Sequence, residues 1–138
     1  MIIDANVVLR AFFPDEQQAE AQALIRDHVS GRVELAAPTL LLYELINSVR
    51  QAERRARVTA EEGEAILSAF ENLGIMLEPV AWQEVLALAR RFDCSAYDAA
   101  YLALAQEHEV TLLTGDRRLY NAVHESLSWV QWIGESTA

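Results

Sequence analysis

Short apolar runs alternate along the chain with longer segments whose apolar residues recur at helical spacing. The runs are short enough to be strands, and at least one predicted helix separates each run from the next. Strands joined through helices lie parallel, and a parallel sheet needs helices on both of its faces. We therefore predict one α/β sandwich domain over residues 1–138, with strands at 1–4, 33–38, 74–80, 110–114 and 128–133.

Several predicted helices carry recognisable start signals. Asp15 is the expected N-cap of a helix that ends near Ser30. The runs "TAEE" from Thr59 and "SAYD" from Ser95 have the spacing of a capping box. The other helices are predicted at about 6–13, 39–57, 81–92 and 116–124, and the tail "GESTA" is expected to fray.

Charge and cysteine content limit the classes of binding partner and the cellular compartment that we expect. The formal net charge is −10, and all eleven basic residues are arginine. Generic nucleic-acid binders are usually basic, whereas an acidic chain suits a protein that gathers carboxylates around cations or meets a basic partner. One cysteine excludes an internal disulfide framework and favours the cytoplasm. No segment approaches the roughly 18–20 apolar residues of a membrane span, so we expect no membrane partner.

Four acidic residues lie where a solvated surface does not explain them. Asp4 ends an apolar strand, Glu44 interrupts an apolar helix, Asp98 lies in the first turn of "YDAAYLALA", and Asp116 follows "TLLT". Asp98 and Asp116 have an alternative explanation at helix N-termini, Asp116 as an N-cap and Asp98 through the helix dipole. Asp4 and Glu44 have none, and an unpaired carboxylate in apolar surroundings is costly. Together, the four acids favour a metal site.

Topology brings three of these acids to one edge of the sheet. Asp4 and Asp116 leave the carboxyl ends of two strands, and Glu44 lies early in the helix after the second strand. Ligands bind at that edge in doubly wound sheets. Asp98 follows a helix, so topology alone does not place it there. Hard ions such as Mg²⁺ or Mn²⁺ prefer oxygen ligands, and they can activate water for displacement at phosphorus.

Other phosphate chemistries on such a scaffold lack essential residues here. A response-regulator receiver and a haloacid-dehalogenase-type phosphatase both need a lysine, which the chain does not contain. A P-loop or dinucleotide fold needs a glycine-rich first turn, and a serine hydrolase of the GxSxG type needs that motif. Neither motif occurs. Metal-assisted phosphodiester hydrolysis remains.

Four segments resemble the PIN-domain ribonucleases, and within them the VapC-type toxins of bacterial toxin–antitoxin pairs. They are "MIIDANVVL", "PTLLLYELINSV", "YDAAYLALA" and "LLTGDRRL", spread almost from end to end. The matching acids are Asp4, Glu44, Asp98 and Asp116, with Asn6, Asn47 and Thr114 as their polar partners.

The resemblance implies a PIN-like three-layer sandwich with a five-stranded parallel sheet, and Mg²⁺- or Mn²⁺-dependent cleavage of single-stranded RNA. The three aspartates would hold the ion directly or through water. Glu44 would help to hold it or would activate the attacking water. A homodimer and a small antitoxin that blocks the site are also implied. Two alternatives stay open: a stand-alone RNA-processing nuclease, and a non-catalytic PIN-like binding module.

The sequence departs from the family pattern in two respects. Gly115 stands where many relatives have asparagine, and Arg117 and Arg118 stand where some have a further acid. The resemblance therefore supports one metal ion better than two. Arginine suits phosphate recognition, so both arginines are candidates for RNA contact, the alternative being unliganded surface residues. Trp132 and the other tryptophans are interpreted mainly as packing residues.

Overall fold

The computed structural model describes residues 1–135, which form a sheet of five parallel strands in the order β3-β2-β1-β4-β5. The predicted five-stranded parallel sheet is confirmed. The strands are β1 (Ile2–Ile3), β2 (Ala36–Pro38), β3 (Met76–Glu78), β4 (Leu112–Thr114) and β5 (Val130–Trp132).

The helices cover both faces of this sheet. Connections through the first four helices step towards β3, and connections through the last three step towards β5. Right-handed crossovers therefore place the two sets on opposite faces, as expected for an α/β/α sandwich. The helices are α1 (Ala5–Phe12), α2 (Ala19–Val29), α3 (Leu40–Arg54), α4 (Ala60–Asn72), α5 (Trp82–Phe92), α6 (Ala96–His108) and α7 (Arg117–Val123), followed by a 3₁₀ turn at Ile133–Glu135.

The direction of the connections reverses between β1 and β4. The chain leaves β1 towards β2 and leaves β4 towards β5, so the two connections diverge and open a crevice at the carboxyl ends of both strands. Asp4 and Asp116 begin these two connections. The strands themselves are rigidly held, since Ile2, Ile3 and Leu113 are no more than 1% exposed.

The observed strands are shorter than the apolar runs that predicted them. In the run 33–38, only the last three residues pair with neighbouring strands. The backbone N–H of Leu35 donates instead to Nδ1 of His28, at 3.1 Å. A side chain thus ends the ladder at a point that apolar periodicity does not reveal. Of the predicted frayed tail, Gly134 and Glu135 belong to the 3₁₀ turn, and residues 136–138 lie outside the described part.

The predicted N-cap at Asp15 is wrong. Helix α2 begins at Ala19 and has no side-chain cap. The carboxylate of Asp15 accepts hydrogen bonds from Nε and a terminal nitrogen of Arg57 at 3.0 and 2.9 Å. This partner lies 42 residues away, so local spacing could not predict it. The capping box at Thr59 is present, whereas at Ser95 the structure shows only the bond that the hydroxyl accepts.

Within residues 1–135, no helix combines the length and apolar character needed to cross a bilayer.

Candidate active site

Asp4 is buried at the end of β1 and is held by three hydrogen bonds. Its Oδ1 accepts from the backbone N–H of Val7 at 3.1 Å and of Gly115 at 3.4 Å. Its Oδ2 accepts from the hydroxyl of Thr114. Asp4 is therefore the N-cap of α1, and the expectation that it has no capping role is wrong. The first helix begins at Ala5, one residue earlier than predicted.

Thr114 links this carboxylate to Asp116. It is fully buried, donates to Asp4 and accepts the backbone N–H of Asp116 at 2.9 Å. Oδ1 of Asp116 in turn accepts from the backbone N–H groups of Arg118 and Leu119, at 3.0 and 3.3 Å. Asp116 thus caps α7, in agreement with the alternative explanation of its position. Both aspartates are tied to the backbone on either side of the crevice.

Glu44 approaches from α3 and meets Tyr101 of α6. The Tyr101 hydroxyl donates to Oε1 of Glu44, and the tyrosine is 2% exposed. Burial, together with this bond, raises the pKa of Tyr101 far above its ordinary value, so the hydroxyl stays a donor. Sequence reasoning missed Tyr101. The available signal was a tyrosine one turn after Asp98 in a helix of alanines and leucines, since a buried tyrosine needs a partner for its hydroxyl.

Asp98 joins the other acids although topology alone did not place it. It occupies the first turn of α6, where Ser95 supplies the N-cap by accepting the Asp98 backbone N–H at 3.0 Å. Ser95 rather than Asp98 is therefore the N-cap, while Asp98 lies in the first turn, where the helix dipole favours an acidic side chain. Its half-buried side chain interacts electrostatically with Asp116 and Arg118.

The charge of Asp116 makes ionisation of the other three carboxylates more costly. Burial raises the pKa of Asp4 to about 6, and the charge of Asp116 adds to this effect against the opposing hydrogen bonds. Burial also raises the pKa values of Glu44 and Asp98, and Asp116 contributes to both. Asp116 therefore acts on all three of the others, as expected when acids from β1, α3, α6 and β4 share one crevice.

The donor chemistry of this crevice fits a hard divalent ion bound partly through water. Within residues 1–135, no three His, Cys, Asp or Glu side chains are arranged to hold one metal ion together. Mg²⁺ commonly takes only one or two carboxylates directly and fills its remaining positions with water and phosphate. Carboxylate oxygens match that preference better than they match zinc, which is usually held by cysteine and histidine.

The remaining candidates surround the acids. Asn6 is exposed on α1, and its Cβ would lie 3.1 Å from a Cβ added at Gly115. Asn47 is exposed on α3, one turn after Glu44. These positions are compatible with contact to a ligand at the mouth of the crevice.

The two arginines that follow Asp116 interact with different groups. The charge of Arg118 acts on Asp98, whose pKa it lowers against the effect of burial. Arg117 lies over the indole of Trp132, with Cζ 3.8 Å from the ring centroid. Arg118 therefore acts on the acids, whereas Arg117 is held by an aromatic ring.

Sequence comparisons indicate the same family as the four motifs. A family model described as PIN domain matches residues 1–125. Ribonuclease VapC9 of Mycobacterium tuberculosis is 31% identical over 119 residues, which cover 86% of this chain and 87% of that relative. Ribonuclease VapC3 of Pyrobaculum aerophilum is 31% identical over 123 residues, which cover 86% of this chain and 91% of that relative.

Solved structures share the fold. PAE2754 from Pyrobaculum aerophilum matches with a TM-score of 0.75 and 23% identity, over 96% of this chain and 90% of that one. FitAcB from Neisseria gonorrhoeae matches with a TM-score of 0.62 and 16% identity, over 95% of this chain and 94% of that one. The resemblance inferred from the four motifs is confirmed: the chain belongs to the PIN domain family and is a VapC-type member of it.

Proposed function

We propose that this protein is a divalent-metal-dependent endoribonuclease that hydrolyses phosphodiester bonds of RNA. The observation that carries the proposal is the group of four acids at the reversal point between β1 and β4, three of which have raised pKa values. Such a group is unfavourable without a cation. The names of the relatives VapC9 and VapC3, both ribonucleases, support the same activity.

The side chains divide the work as follows. Asp4, Asp98 and Asp116 would hold Mg²⁺ or Mn²⁺, directly or through water. When bound, such an ion would supply charge stabilisation at the phosphate and would make a water more acidic. Glu44, oriented by Tyr101, helps to hold the ion or takes the proton of the attacking water, and its raised pKa makes it a better proton acceptor. Thr114 keeps Asp4 and Asp116 in place.

The proposal includes two protein partners and a cytoplasmic location. The protein acts as the toxin of a toxin–antitoxin pair and forms a homodimer. Large aromatic side chains are available for such contacts, since Tyr43, Trp82 and Tyr97 are 71%, 69% and 66% exposed. A basic antitoxin segment would also complement the acidic crevice. Light scattering after gel filtration should give the mass of a dimer, and a monomer mass would remove that part of the proposal.

The nuclease is tested with purified protein and a panel of tRNA, rRNA and mRNA in Mg²⁺, in Mn²⁺ and in chelator. We expect cleavage with either metal, none in chelator, and arrested growth when the protein is expressed in cells. Folded protein that cuts no RNA under any condition would contradict the proposal and favour a non-catalytic binding module. Cleavage without growth arrest would retain the nuclease and reject the toxin in favour of a processing enzyme.

A further inference from the structure

Arg10 of α1 is built into the wall beside the crevice. One terminal nitrogen donates to the carbonyl of Gly115 at 3.0 Å, and the other donates to the side-chain oxygen of Gln18 at 3.3 Å. A Cβ added at position 115 would lie 2.8 Å from Nε of Arg10. The glycine that departs from the family pattern thus leaves the space that this arginine occupies. Both acceptors are neutral, so neither bond cancels the positive charge of Arg10.

A second arginine meets the same indole. Cζ of Arg10 lies 5.3 Å from the ring centroid of Trp132, and Cζ of Arg117 lies 3.8 Å from it. Trp132 is partly buried at the end of β5, beside β4. Arg117 directly follows Asp116 in the chain, so this cluster of Arg10, Arg117 and Trp132 adjoins the carboxylates.

An aromatic face holds these cations without neutralising them. A cation–π contact fixes a guanidinium group but leaves its charge and its N–H donors available. Arg57 provides the contrast within the same protein. It lies 4.9 Å from the ring of Phe13, but it also forms a bidentate pair with Asp15. Arg57 is therefore neutralised locally, whereas the two arginines at Trp132 form a cationic spot.

A chain of net charge −10 needs such a spot to bring a polyanion to an acidic crevice. We propose that Arg10 and Arg117 bind phosphates of single-stranded RNA next to the cleavage site, and that Trp132 is the positioning residue that holds both guanidinium groups. This inference rests on the proposed nuclease function and assigns it a substrate subsite. Planar guanidinium groups suit the task because they bind phosphate oxygens bidentately.

The test measures binding and cleavage separately for the double variant Arg10→Gln/Arg117→Gln. Fluorescence anisotropy with a single-stranded RNA oligonucleotide in chelator gives Kd over a range of salt concentrations, and cleavage in Mg²⁺ gives kcat and KM. We expect Kd and KM to rise about tenfold or more, with kcat within about threefold of wild type because the carboxylates are untouched. The slope of log affinity against log salt should fall by about 0.7 for each phosphate that the variant no longer binds.

Trp132 variants test its positioning role. Trp132→Leu keeps both arginines but removes the aromatic face, so Kd should rise, while Trp132→Phe should restore part of the affinity. A residue needed only for stability would lower the melting temperature without changing the salt dependence of RNA binding. The single variant Arg117→Gln changes an exposed side chain and is the least prone to misfold, and we expect it to reduce the salt slope by itself.

Arg32→Gln removes one positive charge and is the matched control for the single variant Arg117→Gln. Arg32 lies in the loop before β2, at the opposite end of the strands from the acids, and its variant should leave Kd unchanged. The wild type could cleave RNA while the folded Arg10/Arg117 variant keeps Kd and KM within about twofold of the wild-type values. That result would overturn the subsite and leave the nuclease function standing. If the wild type neither binds nor cleaves RNA, the nuclease and the subsite both fail.

Discussion

Asp4 and Asp116 each cap a helix and also line the crevice, so local folding and the site depend on the same two side chains. Capping fixes each carboxylate relative to the backbone, and Thr114 fixes one relative to the other. Their geometry is therefore set before any ion or substrate arrives, which is the arrangement that catalysis by positioning requires. Glu44 does not cap a helix, and its carboxylate is held instead by the hydrogen bond from the Tyr101 hydroxyl.

Tyr101→Phe should destabilise the protein by about 1.5–3 kcal/mol, the typical cost of losing a hydrogen bond to a charged group. Loss of this bond should also raise the pKa of Glu44 further, because the bond favours the ionised carboxylate. Urea denaturation measures the first effect. Tyr43→Phe is the control, since Tyr43 is 71% exposed and its variant should stay within about 0.5 kcal/mol of wild type. Equal stabilities of the two variants would contradict the assigned role.

Two helices show how elements rather than single residues set the site. Helix α6 packs against β1, β2 and β4, and its residues from Ala99 to Ala105 are all buried. Its alanines let the backbone lie close to the sheet, and this brings Asp98 and Tyr101 to the crevice. Helix α3, which carries Glu44, packs against α4. Gly63 lies at that contact.

Gly63→Ala should destabilise the protein although alanine favours helices. A Cβ at this position would lie 2.7 Å from Cγ1 of the buried Val49 and 2.5 Å from Oε2 of Glu53. We expect a loss of about 1–3 kcal/mol from overpacking, measured by thermal denaturation. Ser68→Ala, on an exposed position of the same helix, should instead be neutral or slightly stabilising. A more stable Gly63→Ala variant would show that α4 does not pack tightly on α3.

The acidic charge acts on the molecule as a whole. The net charge is −10, and three acids in the crevice have raised pKa values. Ionisation of these acids therefore lowers the stability of the metal-free protein. An acid whose pKa is raised on folding binds more protons in the folded state than in the unfolded state. Its contribution to stability is therefore present at low pH and is lost as pH rises through its folded pKa.

In chelator, ionisation of Asp4 should lower the free energy of unfolding of the wild type progressively between about pH 4 and the folded pKa of Asp4, about 6. The shift from the ordinary value of 3.8 corresponds to an effect on the order of 3 kcal/mol. Asp4→Asn lacks this titration but retains a side chain that can cap α1. The variant should therefore gain stability relative to wild type as pH rises from 4 to 7, as measured by urea denaturation. A constant difference across this range would contradict the burial of an ionisable Asp4.

Much of the fold was predictable because its main signals are local. Alternating strands and helices predicted the parallel sheet, and Thr59 predicted the start of α4. Boundaries failed where side-chain hydrogen bonds decide them, as at Leu35, whose N–H donates to His28, and at Asp15, whose partner Arg57 lies 42 residues away.

The site was predictable to a similar extent. Acids in apolar segments stand out in the sequence, so the four acids could be named, although Asp98 was placed with the others only through the resemblance; their role in holding a metal stays a prediction. Tyr101 and Arg10 were not, because their roles depend on partners 57 and 105 residues away. The capping role of Asp4 was missed because it depends on where the first helix begins, and helix ends are among the least certain features of a sequence.

The rate at which Asp98→Asn cuts RNA in Mg²⁺ decides whether these carboxylates form a metal-dependent nuclease site. Glu107→Gln, which removes a carboxylate from an exposed position near the other end of α6, is the matched control. We predict that Asp98→Asn stays folded, with an unchanged or higher melting temperature in chelator, and loses cleavage, whereas Glu107→Gln cleaves at the wild-type rate. Cleavage at the wild-type rate by folded Asp98→Asn would show that these carboxylates are not the nuclease site.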